Sequence, residues 1–366
     1  MMAYVAARGG ERAIAEAERL YRAMTGPIDA NRVEQLQAAL PWLIDRVMGE
    51  ASLSAPEMAA LALAQTGGDL YEAVLVLRAW RSTQPRLATA APVLQEALFT
   101  HRRISAAFKD IPGGQILGPT LDYSHRVLET AVLTGRDFVP EPVTPAADPA
   151  PAGQPSLAEW QRAQGLVSAL PATPYVAPED IPDITREPVL FPAPRAHRLQ
   201  ALARADTGGT LALGYAAMRG YGNAHPTVNE LRLAEAEVMV RHPSRSFFSA
   251  GRVKVSQAEV VSKGRADTLE LGFAATLGWN EVKVIAAATL DLNAAKAPKG
   301  SPVEEEFFLY HTEPVEASGF CIHFKLPHYV TFQSSLDAMR GASNRDAKGE
   351  APLPVAPAEH QTEPAE

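Results

Sequence analysis

The sequence predicts an α+β protein: a helical N-terminal domain joined by a Pro/Ala-rich linker to a mixed α/β C-terminal domain. Three observations carry that reading. From Glu11 to about Leu133, Ala- and Leu-rich runs place apolar residues three and four apart, the spacing of one helix face. Residues 139–182 shift to Pro, Ala and Thr with few large apolar side chains, a composition that cannot build its own core. After Asp183, strand-like and helix-like patterns alternate. The expected organisation is therefore 1–138 helical, 139–182 a linker or partner-binding belt, 183–340 mixed α+β, and 341–366 a disordered acidic tail.

Taken in order, Ser54-Ala-Pro-Glu57 reads as a capping box with Pro in the first turn, and Gly67-Gly68-Asp69 separates that helix from the next, Leu70 to Ala79. A short amphipathic piece, Leu157 to Leu170, interrupts the linker. Further on, a helix is expected around Leu199 to Met218, with strands at Glu235–Arg241, Arg252–Val261, Glu306–His311 and Gly319–Lys325. Asn280-Glu281 caps a helix running to about Ala295, because a short amide side chain can accept from the free N–H groups of a first turn. No internal repeat is evident.

At 366 residues and 46% hydrophobic, the chain can bury a sizeable core and is long enough for two domains. The net charge of −8 argues against broad nucleic-acid binding, so any polyanion is gripped locally. One cysteine excludes an internal disulfide and fits a reducing compartment. No stretch approaches the roughly 18 to 20 apolar residues of a spanning helix, and no signal pattern opens the chain. A cytoplasmic location without membrane contact is the expectation.

Four motifs bear chemistry. Arg102-Arg103-Ile-Ser-Ala-Ala-Phe-Lys109-Asp110-Ile-Pro-Gly113-Gly114-Gln sets three cations before a glycine-rich turn, where backbone N–H groups can approach an anion closely. It is not a P-loop, and a solvated basic helix end before a structural turn explains the same residues. Arg219-Gly-Tyr-Gly-Asn-Ala-His225-Pro226, followed by Glu230 and Arg232, gathers a guanidinium, an imidazole and a carboxylate in one loop; the plain alternative is a turn whose polar groups cap one another. Glu304-Glu305-Glu306 precedes an apolar run, and Glu306 could support positive charge at a sugar carbon if it is not simply solvated. Finally, His323-Phe-Lys325-Leu-Pro-His328 holds two imidazoles five residues apart. On a regular strand they face opposite ways, so joint metal ligation needs the break that Pro327 supplies, and a zinc-like ion would need further ligands from elsewhere. Cys321 would share a strand face with His323, although a small buried thiol is the simpler reading.

Read together, Ala7-Arg-Gly-Gly-Glu-Arg-Ala-Ile14, Arg103-Ile-Ser-Ala-Ala-Phe-Lys-Asp-Ile-Pro-Gly-Gly-Gln115, Leu117-Gly-Pro-Thr-Leu-Asp-Tyr-Ser-His-Arg126, Asp183-Ile-Thr-Arg186, the Arg219–Pro226 loop and His323–Tyr329 resemble the PhnI family, the I subunit of the bacterial carbon-phosphorus lyase core complex. The resemblance covers nearly all of residues 1–138 and 183–335 and fades in the linker and tail. It implies an enzyme of phosphonate catabolism that works with G, H and L proteins to displace adenine from ATP by an alkylphosphonate. The product is α-D-ribose 1-alkylphosphonate 5-triphosphate; acting alone, such a subunit is a purine nucleosidase with water as the nucleophile. It also implies a soluble assembly with G, H and J subunits, two copies of each, and a zinc-like metal on His323 and His328 at the contact with the radical J subunit. Cys321 departs from the family pattern and is not taken over as a ligand.

That chemistry builds positive charge on ribose and negative charge on the leaving base, so it needs a carboxylate near C1′ and a proton donor near the purine. From residue chemistry, Asp110, Glu230 and Glu306 are candidates for the first role and His225 for the second. Arg102, Arg103, Lys109 and Arg219, with the Gly113-Gly114 turn, are candidates for the triphosphate, and Lys325 for the phosphonate. The rival expectation is a scaffold whose histidine pair completes a partner's metal site.

Overall fold

The computed structural model describes residues 10–124, 126–141, 153–167, 180–221, 225–241, 246–264, 268–325 and 330–348. The chain divides into two units, Ile28–Ser318 and a second made of Met1–Pro27 with Gly319–Glu366.

The larger unit opens with four helices, α2 (Ala30–Ala39), α3 (Pro41–Ala51), α4 (Pro56–Gln65) and α5 (Leu70–Ser82). Asp29 caps α2 by accepting from Arg32 N at 2.8 Å, and Asp69 caps α5 by accepting from Tyr71 N and Glu72 N. The capping box expected from Ser54 does not form. The N-cap of α4 is Ala55, one residue later, and Pro56 begins the helix instead, where its missing N–H has no intrahelical partner to lose. Ile44, Val47, Ala51, Ala59, Leu63, Ala73, Val74 and Leu77 knit α3, α4 and α5 into one core. Alanines at three of these eight positions let the helices approach closely.

Helical character ends at Ser82, not near Leu133. Phe99–Ile104 is a strand, β1, and the segment from Leu117 to Val139 contributes short turns that leave Leu121, Val127, Leu128, Leu133 and Phe138 exposed. The strand sits at one edge of an antiparallel sheet of order β1-β2-β3-β4, with β2 at Thr227–Arg241, β3 at Phe247–Lys263 and β4 at Leu269–Leu277. Both strands expected at 235–241 and 252–261 exist but run longer. The fourth, β4, was not expected. Its alternation is blurred by small residues, and it is recognisable only as the partner of β3.

One sheet face packs on α9 (Glu281–Ala294), which lies where it was expected and is capped by Asn280 accepting from Lys283 N at 3.2 Å. Every residue from Ala286 to Asn293 is buried, as befits a helix apolar nearly all round. Leu231, Ala258 and Ala274, neighbours across β2, β3 and β4, meet Val284, Ala287 and Ala288 there. α8 (Thr207–Ala216) covers α9 and α7 (Arg195–Arg204) lies beside it against β4; the two are the expected 199–218 helix broken in two at Ala205-Asp206. Asp206 caps α8 by accepting from Gly209 N at 2.5 Å, which explains the break. The other sheet face receives α6 (Leu157–Ala163), the amphipathic piece inside the linker.

Glu305–His311 is a helix, α10, and Pro314–Phe324 is another, α11, although strands were expected at both. Apolar and aromatic content suggested β structure, but Glu305 and Glu306 favour a helix N-terminus, and Phe308 and Leu309 bury against the α9 core as neighbours on a helical turn. In the second unit α1 (Gly10–Thr25) is amphipathic, with Ile14, Leu20 and Met24 exposed. In the same unit α12 (Val330–Lys348) extends into the stretch expected as tail, and residues 349–366 lie outside the described residues. No described helix is long and apolar enough to cross a membrane.

The tightest sheet-to-helix approach is at Gly272 of β4, where an added Cβ would lie 2.1 Å from the Ala288 carbonyl oxygen and 2.7 Å from Leu292 Cβ. Gly272→Ala should destabilise the protein by about 2–3 kcal/mol, read from urea denaturation, because neither the α9 backbone nor the sheet can yield locally. An unchanged midpoint would refute this packing.

Candidate functional site

The strand geometry brings four of the charged residues to one sheet face. Glu230 and Arg232 are two apart on β2, so their side chains point the same way; Arg103 is the register partner of Arg232, and Glu259 that of Glu230. Glu230 is 1% exposed and both arginines are fully buried. Its Oε1 accepts from Arg103 Nε at 2.5 Å and from Arg232 Nη2 at 3.0 Å, while Oε2 accepts from Gln95 at 2.9 Å. The other guanidinium donors reach main-chain oxygens, except Arg232 Nε, which is buried without a partner among the described residues. Arg103 donates to Pro112, Gly114 and Pro155, and Arg232 to Gln95 and Pro155. Arg103, expected at a triphosphate, is thus buried and its donors are taken up within the chain.

The glycines of the 109–114 motif have a related task. Gly113 and Gly114 adopt φ of +81° and +75°, and a Cβ on Gly113 would come within 3.2 Å of Arg103 Nη1 and 2.5 Å of Gln154 Oε1. The turn wraps the arginine so that two carbonyls point at it. Lys109 and Asp110, at the start of the same turn, are exposed. Arg102 points to the opposite face, as its neighbour in a strand must. It is 3% exposed, donates to Glu281 at 2.5 Å at the start of α9 and to the Leu117 carbonyl, and lies over the Tyr123 ring.

Glu259 completes the cluster. It accepts from Asn229 at 3.0 Å, and Asn229 exchanges a pair of hydrogen bonds with Gln161 of α6. Burial, and then the negative charge of Glu230 opposite, push its pKa up to about 7, against the opposing pull of Asn229 and Arg232. Neither Glu259 nor Gln161 was legible as a site residue, since their pairing is made across strands. The available signal was charge at alternate positions, Glu230 and Arg232, with Leu231 and Leu233 between and after them.

The remaining candidates stand elsewhere. His225 is exposed just before β2, and Arg219 is exposed in the turn Ala217–Tyr221 with its guanidinium 5.7 Å from the Tyr215 ring centroid. Residues 222–224 between them lie outside the described residues. Glu230, though close in sequence, is sealed inside the sheet, so the expected trio of Arg219, His225 and Glu230 is not assembled on one loop. Glu306 is exposed in the first turn of α10, while its neighbour Glu305 pairs with Arg198 at 2.5 Å. His323 and Lys325 belong to the second unit, at and just past the end of α11, and are exposed. Because that segment is helical, Cys321 and His323 do not share a strand face. His328 lies outside the described residues, and no group of three or more metal-ligating side chains occurs among the described ones.

The cluster carries its own pH signature. A carboxyl whose folded pKa lies above its unfolded value holds its proton better when folded, so its contribution is complete below about 4.5 and is lost as pH rises through about 7. Glu259→Gln should therefore flatten the fall in melting temperature between pH 5 and 8 and raise stability at pH 8. A parallel pH profile in the variant would sink this account. Arg103→Met should cost about 3–5 kcal/mol in chemical denaturation, since it leaves buried acceptors and half of a buried ion pair uncompensated.

Comparison with known proteins covers almost the whole chain. Residues 3–346 match the family described as bacterial phosphonate metabolism protein (PhnI). A putative C-P lyase subunit protein HtxH from Stutzerimonas stutzeri is 40% identical, spanning 94% of this chain and 97% of its own length. Alpha-D-ribose 1-methylphosphonate 5-triphosphate synthase subunits PhnI from Rhizobium meliloti and Escherichia coli are each 38% identical, over 92% of this chain and 94% and 97% of theirs. On the match of both the family pattern and full-length relatives, the chain belongs to the PhnI family of phosphonate metabolism proteins.

Proposed function

We propose that this chain is a subunit of a ribose 1-alkylphosphonate 5-triphosphate synthase and carries glycosyl-transfer chemistry at C1′ of ATP. The observation that carries the reading is membership of the PhnI family along almost the entire length, with relatives of matching length named as synthase subunits. In the reaction a phosphonate oxygen attacks C1′, the bond from C1′ to N9 of adenine breaks, and the base departs with the bonding electrons and takes a proton. With water as nucleophile the products are free base and ribose 5-triphosphate.

The exposed candidates are the ones free to meet a substrate. In this reading exposed His225 supplies the proton to the departing base, Asp110 or Glu306 the negative charge near C1′, and Lys109 and Arg219 the charge facing phosphates. Glu230, Arg102 and Arg103 serve this chemistry at a distance, as the frame on which the 109–114 turn and β2 are set. We further propose that His323 and His328 give two ligands to a zinc-like ion completed by another chain, with Lys325 beside it for the phosphonate. Two imidazoles are too few for a closed zinc site, which fits a shared one. The expected companions are G, H and J subunits, the L protein and a second copy of this chain. A role in assembly is favoured by the exposed apolar run Leu121, Val127, Leu128, Leu133, Phe138 and by the exposed face of α1.

Purified protein incubated with ATP should release adenine, measured by chromatography, and His225→Ala should slow release on the order of a hundredfold with its melting temperature unchanged. Absence of base release from folded wild-type protein would leave the chain as a scaffold for its partners. In a His323→Ala/His328→Ala variant, base release should persist while bound metal and carbon-phosphorus cleavage by the whole assembly are lost. Loss of base release from that variant would move the histidines into this chain's own centre.

A further inference from the structure

The strongest feature left unused by the reading above is a basin of arginines in the larger unit. Six guanidiniums line a cavity of about 880 Å³: Arg78, Arg81, Arg86, Arg186, Arg204 and Arg241. They come from four places in the sequence. Arg78 and Arg81 lie on α5 and Arg86 just after it; Arg186 lies in the turn after Asp183; Arg204 ends α7 and Arg241 ends β2. Among the described residues no carboxylate lines the cavity itself, in a chain whose net charge is −8. Two carboxylates beside it balance part of the charge. Asp183 pairs with Arg86 at 2.5 Å and more distantly with Arg186 at 3.8 Å, and Glu313 pairs with Arg78.

The rest of the charge has no carboxylate paired to it among the described residues. Arg81 and Arg241 have no carboxylate partner among the described residues. Arg204 is half-buried, and its Nε is buried without a hydrogen-bond partner among them. Burial and then the nearby Arg78 lower its pKa to about 10, against the weaker opposing pull of Glu313 and Asp183. The carbonyl ends of α5 and α7 offer a simpler reason for Arg81 and Arg204. Yet a helix end amounts to about half a charge, and Arg78 already donates to the Arg204 carbonyl at the end of α7 at 3.1 Å. Dipoles do not account for Arg86, Arg186 or Arg241.

Shape narrows the ligand. The volume is that of a small-molecule site, and one wall is apolar: Val240 and Phe248 are register partners on β2 and β3, with Ile184 also lining the cavity. A row of planar guanidiniums beside a flat apolar shelf matches a chain of phosphates attached to a ring. We propose that this basin binds a polyphosphate chain, either free or as the tail of a nucleoside triphosphate. The inference stands on these residues and is independent of where the glycosidic bond is broken.

The test is calorimetry on the full chain at constant ionic strength with tripolyphosphate, ATP, adenosine and an oligoglutamate peptide. Tripolyphosphate should bind, and Arg81→Gln/Arg204→Gln should weaken it at least tenfold. Arg81→Gln/Arg241→Gln, which touches no buried group, keeps the test decisive if the first variant fails to fold, and should also weaken binding at least tenfold. ATP binding much more tightly than tripolyphosphate would identify a nucleotide site; equal affinities with silent adenosine would identify a site for the phosphates alone. The proposal is overturned if tripolyphosphate does not bind, if folded variants bind it as well as wild type does, or if oligoglutamate binds more tightly, which would assign the basin to an acidic protein segment. Base release from ATP, followed on the same preparations, separates the two readings: tripolyphosphate binding without base release removes the glycosyl-transfer reading and leaves the basin standing.

Discussion

The structure depends first on a carboxylate, Glu230, held between two fully buried guanidiniums on one face of the sheet. Removing such charges from water is costly, and the cost is offset only when each remaining donor and acceptor finds a partner. Here the partners are main-chain oxygens of Gln95, Pro112, Gly114 and Pro155. The requirement therefore dictates where three otherwise irregular segments run. It explains why Gly113 and Gly114 take left-handed conformations, and why a piece of the Pro/Ala-rich linker settles on the sheet instead of remaining outside it.

A second polar knot joins the helical layer to the sheet. Glu50, buried on α3, accepts from Arg46 and from both the N–H and hydroxyl of Thr207 at the start of α8. Asp45 accepts from Lys254 of β3 and from Trp279 N, and the Lys254 ammonium also lies over the Trp279 ring. Gly49 and Gly278 allow the close approach, since a Cβ on either would strike the facing backbone. Apolar packing supplies the bulk of the attraction inside each layer, whereas these charged groups set how the layers meet.

The residues that drew attention for chemistry sort by exposure into two sets. Arg102, Arg103 and Glu230 are interior and hold the frame; Lys109, Asp110, Arg219, His225 and Glu306 face solvent. A family of phosphonate metabolism proteins whose relatives are named as subunits gives that division a sense. Solvent-facing groups and exposed apolar side chains on one chain are what a shared site and a shared interface would draw upon. The arginine basin was not visible as a motif at all, because its members are scattered from Arg78 to Arg241.

Several features were legible in the residues themselves. The α+β class, the Asn280 cap and its helix, the Asp69 start of α5 and the strands around 235–241 and 252–261 follow from local preferences and periodicity, which act within a few residues. The family resemblance also needed only residues in order. Elsewhere tertiary structure decided. Glu306–His311 has strand-like composition but folds as helix, since Phe308 and Leu309 must reach the α9 core from adjacent positions on a turn, and Gly319–Phe324 is helical as well. The Arg102-Arg103 pair became part of a strand because its register partners, Leu233 and Arg232, lie more than a hundred residues away on β2. Whether a charged side chain meets a ligand or an internal counter-charge depends on which distant strand lies opposite, and that pairing is settled only when the sheet closes.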